Sequence, residues 1–382
     1  MDRSKSQKVT GWLGELSGSV ADFGTFLPLV IGVLAIQGFD GAGVLTGFGL
    51  FALIVALVYR RPIPIQPMKA VAALIIVGAL TPAQAMASGV IIGGVLLILA
   101  LSGVVSRIAR LVPMSVIMGI QFGVGAQLAL LGGQLVFDQP LFGGAALALL
   151  LLLFLTPYRH LGSFVVVVTA AMAFLLSGDA PQASFGLGLH LPAVAFPALS
   201  DFQVALTTAA LPQLALTLSN AVLATSAIAG DYFPEDKARL SPRNLSLSTG
   251  VLNLVLAPFG ALPMCHGSGG LIAQYRFGAR VWGAPLLFGV FCLGLGLGFG
   301  PQARDILMLI PIGAVGAILA VAGAEMAFHR KVFQVKPSCR VVILVTGLAC
   351  VGINVAVGLL IGLAAEGLRT LYYRRRGEST GI

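Results

Sequence analysis

Charged side chains are scarce in this chain: Asp, Glu, Lys and Arg make up 10% of 382 residues, against 58% hydrophobic ones. That is too little polar material to clothe a soluble globule of this size, so the chain reads as an integral membrane protein. Regular alternation of polar and apolar positions is missing too, which excludes a β-barrel. Apolar stretches run nearly continuously for roughly 14–25 residues, and in lipid such a backbone must satisfy itself as helices. The fold class is all-α. Cysteine is rare: Cys265, Cys292, Cys339 and Cys350 have no paired spacing, which argues against a disulfide framework or a zinc site and leaves buried thiols. No metal or cofactor is expected. Glu15 and Asp22 interrupt the first apolar stretch and no small-residue cleavage site follows, so a cleaved signal peptide is not expected.

The net charge of +9 does not point to nucleic acid, because the basic residues fall in small groups between apolar segments. These are Arg3/Lys5/Lys8, Arg60/Arg61, Arg107/Arg110, Arg159, Lys237/Arg239/Arg243, Arg276/Arg280, Arg330/Lys331/Lys336/Arg340 and Arg369 with Arg374–Arg376, holding 21 of the 23 Lys and Arg. If every apolar segment crosses the bilayer, including short ones after Pro67 and Pro263, all these groups land on one face. Arg304 alone falls in an opposite loop, and Lys69 falls within a helix. The positive-inside rule makes the shared face cytoplasmic. Omitting either short segment would send an arginine pair outside, so charge parity supports fourteen crossings.

The segments are 13–37, 41–59, 67–80, 85–105, 112–131, 141–156, 162–177, 204–230, 244–259, 264–274, 282–299, 306–323, 341–354 and 355–371. The last two are read as a pair of short helices, since a single crossing would place Arg374–Arg376 outside. Residues 178–203 lack Lys and Arg, are rich in Pro and Gly, and read as an external linker. Accordingly, residues 1–177 form a first repeat, 204–371 a second, and 372–382 a cytoplasmic tail, with both termini cytoplasmic in a multi-pass inner-membrane protein. Aligning Pro67-Met68 with Pro263-Met264 also brings LVPMSVIMG (111–119) within two residues of LIPIGAVGA (309–317) and, with a gap allowed, pairs VLTGFG (44–49) with LSTGVL (247–252). Seven segments per half is odd, so the second repeat is inverted relative to the first.

The two recurring motifs, PIPIQPMKAVAA (62–73) and ALPMCHGSGG (261–270), each open an apolar segment too short to span comfortably. A short helix after unwound backbone presents unpaired N–H groups and the positive end of its dipole, which suits a small oxyanion. Gln66 offers an amide donor at the first mouth and Lys69 the one strong positive charge. Ser268 with Gly267, Gly269 and Gly270 lets backbone approach a ligand at the second. Gln213, Thr217 and Asn220 share a helix face at spacings of four and three, and either line the site or bond neighbouring helices. His266 is a candidate for proton coupling or a neutral donor holding the turn. Glu15 and Asp22, seven apart on one face, are either proton-coupling groups or a structural pair bonded to backbone or Lys69. Glu325 and Glu366 read as surface partners of nearby arginines, and Gln121 and Gln127 as packing or bonding groups.

GELSGSVADFGTFLPL (14–29), PIPIQPMKA (62–70), LPQLALTLSNAV (211–222) and GALPMCHGSGGLIAQYRFGAR (260–280) resemble the signature stretches of the molybdate transporter family of bacteria, plants and algae, relatives of the sulfate permeases. The resemblance implies a fourteen-helix, inverted seven-plus-seven fold like that of uracil permease. It divides into core and gate domains, with substrate between half-helices 3 and 10. It also implies molybdate as substrate, with sulfate or tungstate as neighbours, imported by alternating access. Because a dianion entering against an inside-negative potential is opposed by about 2.3 kcal/mol per charge per 100 mV, proton symport is the simplest coupling. The partners expected are the oxyanion, protons and the bilayer; a homodimer is allowed. The regulatory domain that follows the last helix of the sulfate permeases is not expected here.

Three other classes compete with this reading. An enzyme lacks support, since neither G-x-S-x-G nor H-E-x-x-H occurs. A nucleobase permease should place a carboxylate near the half-helices, yet no Asp or Glu occurs from 202 to 230 or from 237 to 304. A channel-like anion pathway stays open and would differ by flux that does not saturate at low substrate.

Overall fold

A computed structural model describes residues 11–76, 78–178, 186–328, 335–353 and 355–375. Helices come first in chain order: α1 (Gly11–Ala21), α2 (Phe23–Leu34) and α3 (Gly41–Tyr59). A two-residue strand β1 (Gln66–Pro67) then leads into the eight-residue α4 (Lys69–Ile76). Next are α5 (Pro82–Leu101), α6 (Val104–Leu111), α7 (Met114–Asp138), α8 (Pro140–Phe154) and α9 (Gly162–Ser177). After an extended stretch comes a continuous helical run α10 (199–232), then α11 (Pro242–Leu256). A second strand β2 (Met264–Cys265) leads into the nine-residue α12 (Ser268–Arg276). The chain continues through α13 (Gly283–Phe299), α14 (Ala303–Leu307), α15 (Ile312–Ala327), α16 (Pro337–Gly352) and α17 (Val355–Arg375).

Local chemistry sets many of these boundaries. Thr81 and Gln84 form a reciprocal capping box ahead of α5, with Pro82 in the first turn, where its missing N–H costs nothing. Ser241 accepts from the Asn244 N–H to start α11. Gly178 ends α9 in the left-handed conformation, at φ 80°.

By length and apolar composition, five described helices can cross a membrane, and α1 with α2, bent by 43°, make a sixth broken span. The first segment expected as 13–37 is thus two helices. The break is at Asp22, whose carbonyl accepts from the Thr25 and Phe26 N–H groups. Residues 341–371 are two helices rather than one, broken near Ile353, and the second runs on to Arg375. The segment expected as 204–230 begins at Leu199 and contains π-helical stretches, Leu206–Ala210 and Thr217–Ala224. Pro212, which has no N–H to donate, follows the first of these. Many large apolar side chains are exposed around the molecule, among them Leu57, Ile98, Leu152, Leu348 and Leu360, as expected where lipid is the solvent.

Glycine sets the closest helix pairs. Each of Gly49 (α3) and Gly289 (α13) has the other's carbonyl oxygen about where a Cβ would go, at 2.9 and 3.0 Å. Gly93 (α5) and Gly250 (α11) repeat this at 2.9 Å in both directions, and Gly132 (α7) and Gly316 (α15) at 2.6 and 2.8 Å. Backbones this close gain dispersion contacts that a larger residue would prevent, the usual basis of helix association in lipid. The helices fall into two contact groups: α1–α5 with α10–α13, and α7 and α8 with α15–α17, while α9 bridges α8 to α1.

Several basic groups meet at one end. Arg61 pairs with Glu235 and Asp236 at 2.6 Å each and donates to the Arg280 carbonyl, while Arg239 and Arg243 donate to the carbonyls of Tyr59 and Ala100. Part of the expected external linker, residues 186–198, is extended; Gly188 and His190 donate to Gly298 and Leu297, and Ala195 to Pro258.

One surface expectation fails. Glu366 is buried, 7% exposed, and its carboxylate accepts from Arg369 (2.6 and 3.0 Å) and from Ser115 on α7 (2.9 Å). A carboxylate at this depth needs a cation and a hydroxyl, and it ties α17 to α7. The Glu325 side chain lies outside the described residues.

Candidate functional site

The two short motifs cross at the centre of the chain's contacts. Gln66 pairs with Cys265 and Pro67 with Met264 in an antiparallel ladder, and the Met68 N–H donates to the Pro263 carbonyl at 2.9 Å. Asn253 on α11 closes this crossing from behind: its amide accepts from the Met264 N–H at 2.8 Å and donates to the Met264 carbonyl at 2.7 Å. Unwound backbone at membrane depth is tolerated only when satisfied in this way.

Beside the crossing lies a cavity of about 290 Å³. Its walls come from α4 and β1 (Gln66, Pro67, Lys69, Ala70), from β2 (Cys265), from α10 (Gln213, Leu216, Asn220, Ala221) and, across the boundary between the two helix groups, from α7 (Val124, Gln127). Four of the expected site residues therefore line it: Gln66, Lys69, Gln213 and Asn220. Among the described residues Lys69 forms no hydrogen bond or ion pair; it opens onto the cavity at the start of α4, with the Asp22 carboxylate as the opposite charge it feels at longer range.

The neutral groups are already engaged. Gln66 points its amide N–H groups away from the cavity, to both carboxylate oxygens of Asp22 (2.7 and 2.8 Å) and to Thr25 Oγ1 (2.9 Å). Thr25 in turn donates to the same carboxylate. Gln213, 2% exposed, accepts from the Ala70 N–H at 2.8 Å and donates to Thr217 Oγ1 at 3.0 Å. Asn220 Oδ1 accepts from Ser268 Oγ at 2.5 Å. Thr217, Gly267, Ser268, Gly269 and Gly270 stand behind this wall and do not line the cavity.

The glycines have a definite use. A Cβ on Gly267 would enter the Gln66 amide, and one on Gly270 would stand 2.7 Å from Gln66 Nε2 and 2.8 Å from Asp22 Cγ. The first turn of α12 is thus shaped to receive Asp22, and the positive end of a helix dipole favours such a carboxylate.

His266 is fully buried and faces away from the cavity. Its Nδ1 lies 3.1 Å from the Pro64 carbonyl and its Nε2 2.9 Å from Ser248 Oγ, with Phe51 and Tyr59 edge-on at 5.7 and 5.8 Å. A carbonyl only accepts, so Nδ1 carries the proton in the neutral ring and Ser248 donates to Nε2. Glu15 also stands apart: it accepts from the N–H groups of Arg280, Val281 and Ala284 at 2.7–2.9 Å and so anchors the start of α13.

Three contributors escaped sequence reasoning. Thr25 lies three residues after Asp22, a spacing that would have signalled a shared partner. Cys265, taken only as a buried thiol, lines the cavity. The Ala70 N–H is a backbone donor that any residue supplies, so no side-chain pattern marks it. Gln127 lines the cavity while donating to the Cys350 carbonyl at 2.6 Å.

This architecture is that of known membrane transporters. It resembles the transmembrane domain of a cyanobacterium bicarbonate transporter, BicA, with a TM-score of 0.57, 17% identity, and coverage of 92% of this chain and 96% of that one. It also resembles SLC26A9, with a TM-score of 0.62, 12% identity, and coverage of 97% and 66%. The chain belongs to the molybdate transporter family: the family described as "Molybdate transporter of MFS superfamily" matches residues 14–128 and 205–326. Molybdate transporter 2 of Arabidopsis thaliana is 30% identical over 399 residues, covering 91% of this chain and 85% of the relative. The fold, however, is the one seen in BicA and SLC26A9.

Proposed function

We propose that the chain is a secondary active transporter that imports molybdate. The observation that carries this reading is the unpaired Lys69 ammonium on a small cavity beside two short helix starts, in a chain of the molybdate transporter family. Cation, helix dipole and backbone donors together suit a tetrahedral dianion. Substrate occupies the cavity lined by Gln66, Lys69, Gln213 and Asn220, with Thr217, His266, Gly267, Ser268, Gly269 and Gly270 holding the walls in place. Tungstate, a near-isosteric dianion, competes better than the smaller sulfate, which leaves fixed donors long.

The transport cycle is alternating access. The group α1–α5 with α10–α13 is the core, and α7–α9 with α15–α17 the gate; the cavity at their boundary opens to one side and then the other. Fourteen crossings as two inverted repeats, 1–177 and 204–371, underlie this, with α4 and α12 as half-helices 3 and 10. The ladder supports that symmetry. Matching Pro67-Met68 to Pro263-Met264, the pair Pro67–Met264 becomes Pro263–Met68 when the halves are exchanged, and both contacts are present. The clustering of Arg61, Arg239, Arg243 and Arg280 at one end supports a cytoplasmic face there, with both termini on it, in the inner membrane. Of the coupling candidates Glu15, Asp22 and His266, Asp22 is favoured, because its carboxylate bonds Gln66 on the cavity wall. A dianion nearby favours its protonated form, so substrate and proton bind cooperatively.

The test is uptake of radiolabelled molybdate by proteoliposomes, with tungstate, sulfate and uracil as competitors. Saturable uptake blocked by tungstate more than by sulfate is expected. Equal competition by sulfate would indicate a general sulfate-type permease, and non-saturating flux a channel-like pathway.

A further inference from the structure

We infer that Gln213 is an internal stand-in for a substrate oxygen, a releasable cap that holds the Ala70 N–H until the anion displaces it. The inference rests on the cavity being the molybdate site and specifies how that site is kept when no anion is bound.

The first N–H groups of a helix have no partner within it and need one from outside. In α4 the Ala70 N–H meets this need through Gln213 Oε1 at 2.8 Å, from a side chain 2% exposed that also forms part of the cavity wall. The amide orientation is set at both ends, since a backbone N–H requires the oxygen and the Nε2 donates to Thr217 Oγ1 at 3.0 Å. Lys69, the residue immediately before Ala70, faces the same cavity with no hydrogen bond or ion pair among the described residues. An anion drawn to Lys69 therefore finds the adjacent backbone donor held by a neutral oxygen. Exchange of that amide oxygen for a charged one is downhill, because hydrogen bonds to ionised acceptors are the stronger kind.

Displacement also has a route outward. Gln213 is anchored on Thr217, the first residue of the π-helical stretch Thr217–Ala224, and that stretch carries Asn220, whose amide oxygen accepts from Ser268 in the first turn of α12. Ala70, Gln213, Thr217, Asn220 and Ser268 thus set one face of α10 between the starts of both short helices. Release at α4 loosens the Gln213 contact with Thr217, which also bonds Cys265 on the cavity wall, at the point where α10 departs from α-helical geometry. Under this reading Gln213 is a positioning residue that competes with substrate.

An ordinary ligand residue and a competing cap give opposite results when removed. Molybdate binding by purified full-length protein, followed by calorimetry, is measured for wild type, Gln213→Ala, Gln213→Met and Gln213→Glu. The Ala and Met variants are expected to bind about 3- to 10-fold tighter, the net worth of one neutral hydrogen bond that no longer has to be displaced. Gln213→Glu, which caps the same N–H with a negative charge, is expected to bind at least about 10-fold weaker. Weaker or unchanged binding by both neutral variants, or failure of both to fold, would overturn the cap and leave Gln213 a direct ligand or a structural residue. Failure of the wild type to bind molybdate would strike instead at the transport reading.

Discussion

The starts of α4 and α12 carry similar motifs, and the protein uses them differently. At α4 the backbone donor is capped by the neutral Gln213 amide, and the Lys69 ammonium opens onto the cavity. At α12 glycines seat a carboxylate, Asp22, already bonded by Gln66 and Thr25, and the Ser268 hydroxyl is spent on Asn220. One junction faces the cavity; the other holds the protein's own anion. Symmetric motifs thus need not make a symmetric site, and the asymmetry comes from which side chains meet each helix start: Gln213 of α10 at one, Asp22 at the α1–α2 break together with Asn220 of α10 at the other.

The largest effect should come from disturbing the carboxylate seat. Gly270→Ala drives a methyl group against Gln66 Nε2 and Asp22 Cγ at 2.7 and 2.8 Å, so the bonded amide and carboxylate must shift together. Overpacking of this kind costs about 1–3 kcal/mol, and here it also pushes on the cavity wall through Gln66. Molybdate uptake should fall by about 10-fold or more with a lowered thermal midpoint. Wild-type uptake and stability in Gly270→Ala would show that the close approach at α12 has no role.

Next is the open cation. Lys69→Met keeps the length of the side chain and removes its charge, so binding should weaken by about 10- to 100-fold, the value of a hydrogen bond to a charged group, with little change in stability. Lys69→Arg should recover part of this. Equal loss in Ser268→Ala, whose hydroxyl is turned to Asn220, would erase the functional difference between the two junctions.

Much of this could be read from residues in a row. Segment 41–59 coincides with α3 and 162–177 with α9, because long apolar runs between glycine, proline and arginine leave few alternatives. Charge parity demanded crossings after Pro67 and Pro263, and both places hold short helices behind a strand. Four of the ten substrate candidates line the cavity, but the direction of each donor was not legible. Gln66 offers the same amide whether it faces an anion or Asp22, and the choice is made by a residue forty-four positions away. The π-helical stretches of α10 were hidden for a similar reason: they depend on contacts, and composition alone reads as ordinary helix.

A subtler asymmetry concerns protons. Asp22→Asn keeps an acceptor for Gln66 while removing the titratable group, so binding should survive within about 10-fold while uptake loses its dependence on pH. The sign follows from linkage: if substrate and proton bind cooperatively, wild-type uptake rises as pH falls from about 8 to about 6 and collapses with a protonophore. A full pH profile retained by Asp22→Asn would exclude Asp22 as the coupling group; a flat profile in wild type, with the potential clamped, would exclude proton symport.

The smallest effect on transport is expected from His266, although it sits in the motif of highest chemical content. Its ring spans from the Pro64 carbonyl to Ser248, which also shares a hydrogen bond with the Tyr59 hydroxyl, and it turns its back on the cavity. An imidazole whose Nδ1–H is fixed on a carbonyl can gain a second proton only if Ser248 gives up donating to Nε2 and turns its hydrogen to the Leu245 carbonyl, 3.2 Å away. The ring therefore works as a strut between the two crossing segments. His266→Gln should leave the pH profile of uptake in place and molybdate affinity within about 3-fold of wild type, while stability falls by about 1–3 kcal/mol for the buried groups left unpaired. Thermal unfolding and uptake measured on the same preparation separate these readings. A flattened pH profile in His266→Gln with unchanged stability would move proton coupling from Asp22 to His266 and make the α12 junction, rather than its glycine seat, the titrating half of the site.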